Sequence, residues 1–131
     1  MIRTFFVIHF PWIAWMAAIT IQSSFPGIPI PKLGLTFQDK ILHFLVFGFL
    51  GLLITRGMQH IKYRLIQERP VLTAVMLGCF FALTDEIHQA FVPARSAEVL
   101  DWVADFAGIV VFSYLYSLWY NRRQKKLAAS E

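Results

Sequence analysis

Charged residues are scarce in this chain, and cysteine is almost absent. Only 15% of the 131 residues are charged, whereas 57% are hydrophobic. Soluble domains ordinarily carry about 25% charged residues, so this composition argues against a soluble fold. The one cysteine, Cys79, excludes an internal disulfide and a cysteine-based metal site. A nucleophile-elbow serine motif and a glycine-rich phosphate loop are both missing, which excludes an ordinary soluble hydrolase and a nucleotide-driven pump.

Four apolar stretches account for the composition, at residues 4–21, 41–55, 71–84 and 102–120. A helix that crosses a bilayer needs about 20 residues. The second and third stretches reach that length only if they extend through residues 38–40 and 85–90. We therefore predict an all-α, polytopic membrane protein with four transmembrane helices, forming a single domain over residues 1–131. The first stretch lacks a clean signal-peptidase site and is expected to be retained.

Basic residues fall mainly on one predicted side of the membrane. Nine of the twelve Lys and Arg residues precede the first stretch, lie between the second and third, or follow the fourth. The positive-inside rule then places both termini and the middle loop in the cytoplasm, for a protein of the inner (plasma) membrane. Residues 121–131 form a basic cytoplasmic tail. We expect this tail to anchor the protein at the membrane and expect no nucleic-acid partner, while oligomerisation stays open.

The opposite, outer side collects most of the acidic residues. Six of the eight Asp and Glu residues lie there, together with two histidines. Residues three or four apart share a helix face, so three helices are each expected to turn polar groups toward one cavity. The groups are Asp39, Lys40 and His43, then Asp85, Glu86, His88 and Gln89, then Asp101 and Asp105. Ionisable residues in membrane-length apolar sequence mark a functional site by default.

A structural explanation competes with a functional one. Buried charges are normally paired, so Lys40 could neutralise Asp39 or Asp85, and Arg95 could neutralise Glu86 or Asp101. Glu98, in the second outer loop, is expected to be a solvated charge.

In the functional alternative, several carboxylates share a poorly hydrated pocket. Ionising all of them is costly, so one is expected to have a raised pKa and to act as an acid or base. Glu86, Asp85 and His43 are then the candidate acid–base groups, with Asp105 also considered. Carboxylates with a glutamine would favour Mg²⁺, Mn²⁺ or Ca²⁺, and two histidines Zn²⁺. No standard metal-ligand spacing is present, so the metal and any cofactor are left unassigned.

Three sequence blocks resemble the VanZ-like family of small polytopic membrane proteins. The blocks are D-K-I-L-H-F-L-V-F from Asp39, D-E-I-H-Q-A-F-V-P-A-R from Asp85, and D-W-V-A-D-F-A-G from Asp101. Together they cover a motif-bearing core at residues 39–108. Asp105 departs from the resemblance, because the family pattern has Asn there. The resemblance implies importance for a set of residues: Asp39, Lys40, His43, Asp85, Glu86, Gln89, Phe91, Pro93, Arg95, Asp101 and Gly108.

The resemblance implies an envelope context, since the family takes its name from a member linked to resistance against teicoplanin, a glycopeptide antibiotic. It does not imply a reaction. Our leading hypothesis is a protein that binds, and can modify, an anionic molecule linked to a lipid or to the cell wall. Lys40 and Arg95 would hold the anion, and Asp39, His88, Gln89, Asp101 and Asp105 would complete the binding site. The alternatives are a scaffold whose charges lock helices together and a proton- or ion-coupled transport element.

Overall fold

Helices make up all the regular structure that is described. The computed structural model describes residues 2–26, 37–95 and 97–130, with side chains from residue 5 onward. The helices are α1 (Ile2–Ile8), α2 (Phe10–Ser23), α3 (Gln38–Met58), α4 (Arg64–Gln67), α5 (Pro70–Gln89) and α6 (Val99–Ala128). The all-α prediction is confirmed. The first outer loop, residues 23–38, contains several prolines and glycines, which predict an extended or turned segment. Most of this loop lies outside the described residues.

Three of these helices are long and apolar enough to cross a membrane: α3, α5 and α6, with 21, 20 and 30 residues. They correspond to the second, third and fourth apolar stretches. As predicted, the polar flanks belong to the helices, because α3 begins at Gln38 and α5 ends at Gln89. Helix α6 continues through the basic tail to Ala128. These features describe a multi-pass membrane protein.

The first apolar stretch is divided between α1 and α2. Pro11 lies in the first turn of α2, where its missing N–H costs little, but it cannot donate to the carbonyl one turn earlier. Each piece is too short to count as a span alone, so a fourth span and cytoplasmic termini stay predictions. Helix α2 nevertheless lies along α3, and Trp15 Nε1 donates a hydrogen bond of 3.1 Å to the Val46 carbonyl.

Helices α3 and α6 approach each other through glycine. A Cβ atom on Gly108 of α6 would collide with the Phe44 carbonyl oxygen of α3, and one on Gly51 would lie 2.8 Å from the Ile109 carbonyl oxygen. Gly48 and Gly51, three residues apart on α3, do not form a G-x-x-x-G motif, although their spacing makes close helix packing plausible from sequence. That close packing is found. This contact fixes the register of the two helices and sets their first turns side by side.

Large apolar side chains cover much of the outside of the bundle. On α5, Leu72, Met76 and Phe80 follow one another at four-residue spacing and are 50%, 66% and 67% exposed. The inner contacts are instead made by side chains such as Leu50 and Ile109, which are fully buried. A contiguous apolar face of this kind is rare on soluble monomers and suits contact with lipid.

Candidate functional site

The ionisable residues predicted to converge do meet at one end of the bundle. This end, which we call the polar end, contains the last turn of α2, the first turns of α3 and α6, and the last turn of α5. Six of its polar residues are buried: Ser23, Asp85, Glu86, Gln89, Asp101 and Asp105. The site divides into smaller groups with different degrees of hydrogen bonding.

The first group is an ion-pair network around Lys40, which joins α3 to the start of α6. The Lys40 Nζ atom lies 2.6 Å from Asp101 Oδ1, 2.5 Å from Glu98 Oε2 and 3.5 Å from Asp39 Oδ2. Asp101 is buried, whereas Glu98 and Asp39 are about half-exposed or more. The lysine charge is thus matched by several carboxylates, in a geometry that ties two helices together.

The second group surrounds Asp85 on α5. Its Oδ2 atom accepts a hydrogen bond of 2.8 Å from Ser23 Oγ and one of 2.9 Å from Gln89 Nε2. The neighbouring His88 Nε2 atom lies 3.0 Å from Ser24 Oγ. Two serines at the end of α2 therefore connect that helix to α5. Ser23, together with Gln89, satisfies an oxygen of a carboxylate that burial would otherwise leave costly.

The third group, the His43 triad, consists of His43, Glu86 and Asp105. His43 Nδ1 lies 2.9 Å from Asp105 Oδ1, and the Glu98 backbone N–H donates to Glu86 Oε2 over 3.1 Å. The other carboxylate oxygens, Glu86 Oε1 and Asp105 Oδ2, are buried without a hydrogen-bond partner among the residues that the structure describes. Since buried polar atoms are nearly always bonded, this group is incomplete by itself.

Arg95 lies in the turn between α5 and α6. Its Nε and Nη2 atoms donate to the Phe25 and Gln22 carbonyl oxygens, each over 3.2 Å. These carbonyls lie at and just after the C-terminus of α2, where a positive charge is favourable. The preceding residue, Ala94, has a φ of 61°, a left-handed conformation that is costly for a residue other than glycine. The turn that brings Arg95 into contact with α2 therefore contains a strained residue, Ala94.

A cavity of about 470 Å³ opens between α2, α3 and α5 beside these groups. Both polar and apolar side chains line it. The polar ones include Asp39, His43, Asp85, Gln89 and Arg95, and the apolar ones are Trp15, Ala18, Ile19, Leu42, Val46 and Phe47. The cavity therefore presents ionisable groups and apolar side chains to the same space.

Two combinations of side chains are close enough to hold a metal ion. They are Asp39 with His43 and Asp101, and His43 with Glu86 and Asp105; in each, one ligand atom per residue lies within 4.8 Å of the others. In the first, Asp101 is already paired with Lys40. The second is the His43 triad, whose free carboxylate oxygens leave room for a further bond.

Sequence reasoning located the residues correctly but misjudged several partners. Lys40 does contact Asp39, yet its shorter ion pairs are to Asp101 and Glu98. Glu98 is half-exposed, as expected of a solvated charge, but is also ion-paired. Arg95 contacts backbone carbonyls instead of the carboxylates predicted for it.

The serines of α2, Ser23 and Ser24, were missed altogether. The available signal was a pair of hydroxyl residues ending the first apolar stretch. Both contact the polar end, which places α2 in the site alongside the three helices that carry the motifs.

The fold and the polar end together define a small helical membrane protein with an ionisable cluster at one end of its bundle. Comparison with known proteins makes this specific: the chain matches the VanZ/LLP1 family over residues 2–120 and belongs to that family. It is also 30% identical over 102 residues to a protein of Schizosaccharomyces pombe named "Uncharacterized protein C11E3.10". That match covers 78% of this chain and 57% of the yeast protein, so the chain spans just over half of its relative's length. No solved structure matches the chain.

Proposed function

We propose that the polar end binds the anionic headgroup of a lipid-linked molecule at the outer face of the plasma membrane. The observation that carries this proposal is the cavity between α2, α3 and α5, which is lined by both ionisable groups and apolar side chains. A soluble anion would not need the apolar wall. A lipid tail alone would not need the charged groups.

In this proposal, Arg95 is the cation that binds the anionic headgroup. It lines the cavity, and its described hydrogen bonds use two nitrogen atoms to hold backbone carbonyls. A guanidinium has five N–H donors, so donors remain for a phosphate or carboxylate. Lys40 contributes less directly, because its charge is matched by Asp101 and Glu98. Its network supports the scaffold alternative for that part of the polar end.

The charges at the two ends support the proposed outer location. The basic residues 56, 62, 64, 69, 122 and 123 belong to the ends of α3 and α6 or to the segment before α5, opposite the polar end. The positive-inside rule assigns that end to the cytoplasm. In this arrangement α1 and α2 form the fourth crossing, since their combined length from Ile2 to Ser23 corresponds to about 33 Å of helix.

His43 is our candidate for any proton transfer to or from the bound molecule. It lines the cavity, and its Nδ1 contact with Asp105 orients the ring. A carboxylate that orients a histidine is a common arrangement for general acid–base catalysis. Asp85 and Glu86 stay candidates beside it. Asp85 is the less available of the two for proton transfer, since it accepts hydrogen bonds from Ser23 and Gln89.

The test is binding of a polyprenyl phosphate to the full-length protein in phosphatidylcholine nanodiscs, followed by native mass spectrometry. We expect saturable binding, weakened by at least about tenfold in Arg95→Gln, which corresponds to 1.4 kcal/mol. Arg123→Gln is the matched control, because Arg123 packs over the Trp119 ring at the other end. Ala18→Trp should also block binding, by filling the cavity without changing charge.

Equal affinity in Arg95→Gln and Arg123→Gln would exclude the proposed site. If the natural ligand is a cell-wall precursor, expression of the chain in a sensitive bacterium should also lower susceptibility to teicoplanin. Arg95→Gln should then remove this effect.

A further inference from the structure

We infer that the His43 triad is a binding site for one divalent metal ion, held by His43, Glu86 and Asp105 at the wall of the cavity. This inference does not depend on the proposed lipid ligand. It is an alternative to the proton-transfer role proposed for His43, because a histidine that coordinates the ion is not free to act as an acid or base. It rests on unpartnered carboxylate oxygens, on the balance of charge at the polar end, and on the spacing of the ligand atoms.

The first observation is that two buried carboxylate oxygens of the triad receive no hydrogen bond from the described residues. Glu86 is 6% exposed and Asp105 is fully buried. One oxygen of each, Glu86 Oε1 and Asp105 Oδ2, has no hydrogen-bond partner among the described residues. Leaving a buried acceptor unsatisfied costs about 1–3 kcal/mol, and more when the group is charged. A bound cation would supply the missing partner to both carboxylates.

The second observation is the allocation of positive charge at the polar end. Lys40 is paired with Asp101 and Glu98, and Arg95 donates to carbonyl oxygens of α2. Among the described contacts, Asp105 is left with His43 as its partner, and Glu86 with one backbone N–H. Two buried carboxylates in candidate membrane spans are expensive without compensation. A divalent ion neutralises both.

The third observation is the spacing of the atoms. One ligand atom from each residue of the triad lies within 4.8 Å of the others, and His43 Nδ1 is 2.9 Å from Asp105 Oδ1. Adjacent ligands of an octahedral ion with bonds of about 2.1 Å are about 3.0 Å apart. The histidine–aspartate pair therefore already has the separation of two neighbouring ligands.

The ligand chemistry selects the ion. One imidazole and two carboxylates form a mixed set, which suits Mn²⁺ or Zn²⁺ better than an ion that prefers oxygen ligands alone. Three protein ligands also leave coordination positions free, as in catalytic zinc sites. Because His43 lines the cavity, an ion bound to it would lie close enough to meet an anion there.

The experiment measures metal binding directly. Full-length protein, with its affinity tag removed, is placed in phosphatidylcholine nanodiscs, stripped with EDTA and titrated with Mn²⁺ by electron paramagnetic resonance. Zn²⁺ is titrated by calorimetry. We expect one equivalent per chain and a higher melting temperature for the loaded protein. Glu86→Gln and Asp105→Asn should each weaken binding by at least about tenfold.

Glu98→Gln is the matched control, because it is the same chemical change on a half-exposed carboxylate outside the triad. Its metal affinity should equal that of the original chain. If Asp105→Asn does not fold, Glu86→Gln alone decides, with circular dichroism reporting its fold.

Three results would overturn the inference. The first is the absence of saturable binding to the original chain, which would mean that protons compensate the carboxylates. The second is unchanged affinity in the triad variants. The third is an equal loss in Glu98→Gln or in Asp39→Asn, which would place the ion elsewhere at the polar end.

Discussion

The Lys40 network and the His43 triad are neighbours where α3 meets α6, and α5 adds Glu86 to the triad. The two groups nevertheless differ in how their buried charges are paired. In the network, Lys40 meets a buried and a half-exposed carboxylate at 2.6 and 2.5 Å. In the triad, Asp105 contacts His43 and Glu86 accepts from one backbone N–H, and each carboxylate keeps an oxygen without a partner in the described part of the chain. The carboxylates of the first group are ion-paired with Lys40, whereas Glu86 and Asp105 have no Lys or Arg partner among the described ion pairs.

We propose that this difference separates structure from function at the polar end. A closed ion-pair network holds helices in place. An open set of ligands is costly to the fold, and such cost is typical of sites that act on a ligand. In this proposal, the structural and functional explanations of the cluster apply to different residues one helical turn apart.

Removal of the Lys40 charge should have the largest effect on stability. Lys40→Met leaves Asp101 buried without its cation, and breaking a buried pair costs about 3–5 kcal/mol. Because the Lys40 side chain is 21% exposed, we expect about 3 kcal/mol, the lower end of that range. Reversible unfolding in mixed micelles measures it. Lys40→Arg should retain most of the stability, and an unchanged unfolding curve for Lys40→Met would show that the network is not structural.

The Lys40 network and the His43 triad both depend on the close contact between α3 and α6 at Gly108. Its replacement by Ala would drive a Cβ into the Phe44 carbonyl, and overpacking of this kind costs about 1–3 kcal/mol. The cost falls on the network and the triad together, so stability and metal affinity should decline in the same variant. In Gly78→Ala the new Cβ lies 3.1 Å from the flexible end of Ile109, and its unfolding curve should hardly move. Similar curves for both variants would argue against the Gly108 contact.

The sharpest comparison, with the smallest effects, is the same substitution in each group. Asp101→Asn weakens a charged hydrogen bond to Lys40 and should lower the free energy of unfolding by about 1.5 kcal/mol. Asp105→Asn removes an uncompensated buried charge and should leave stability equal or higher in metal-free buffer. Thermal melts of both variants in the presence of EDTA test the direction of each change in stability. Destabilisation of the same size at both positions would mean that the two groups do not differ.

The local pattern of the sequence predicted the helices and the convergence of their polar residues. Hydropathy and helical spacing depend on neighbours along the chain, so the extension of α3 back to Gln38 and of α5 to Gln89 could be predicted without knowledge of packing. The same holds for the shared faces of Asp101, Asp105 and Gly108. The division of the first stretch near Pro11 was not predicted, because proline in a first helical turn is compatible with either a continuous or an interrupted helix.

Partner choice required the tertiary structure. Asp39, Asp85, Asp101 and Glu98 were all available to Lys40 by sequence, and the rotation and offset of α6 against α3 selected among them. That register is determined where Gly108 meets the Phe44 carbonyl, a contact between residues far apart in the chain. Ser23 reached Asp85, and Arg95 reached the end of α2, for the same reason.

The sequence by itself thus determined an all-α membrane protein and the set of residues at its polar end. Composition and periodicity are sufficient for that, because each is read along one helix at a time. Only the tertiary structure decided which charges are paired and which carboxylates stay open. Pairing requires contacts within about 4 Å, and such distances depend on how the helices pack against one another.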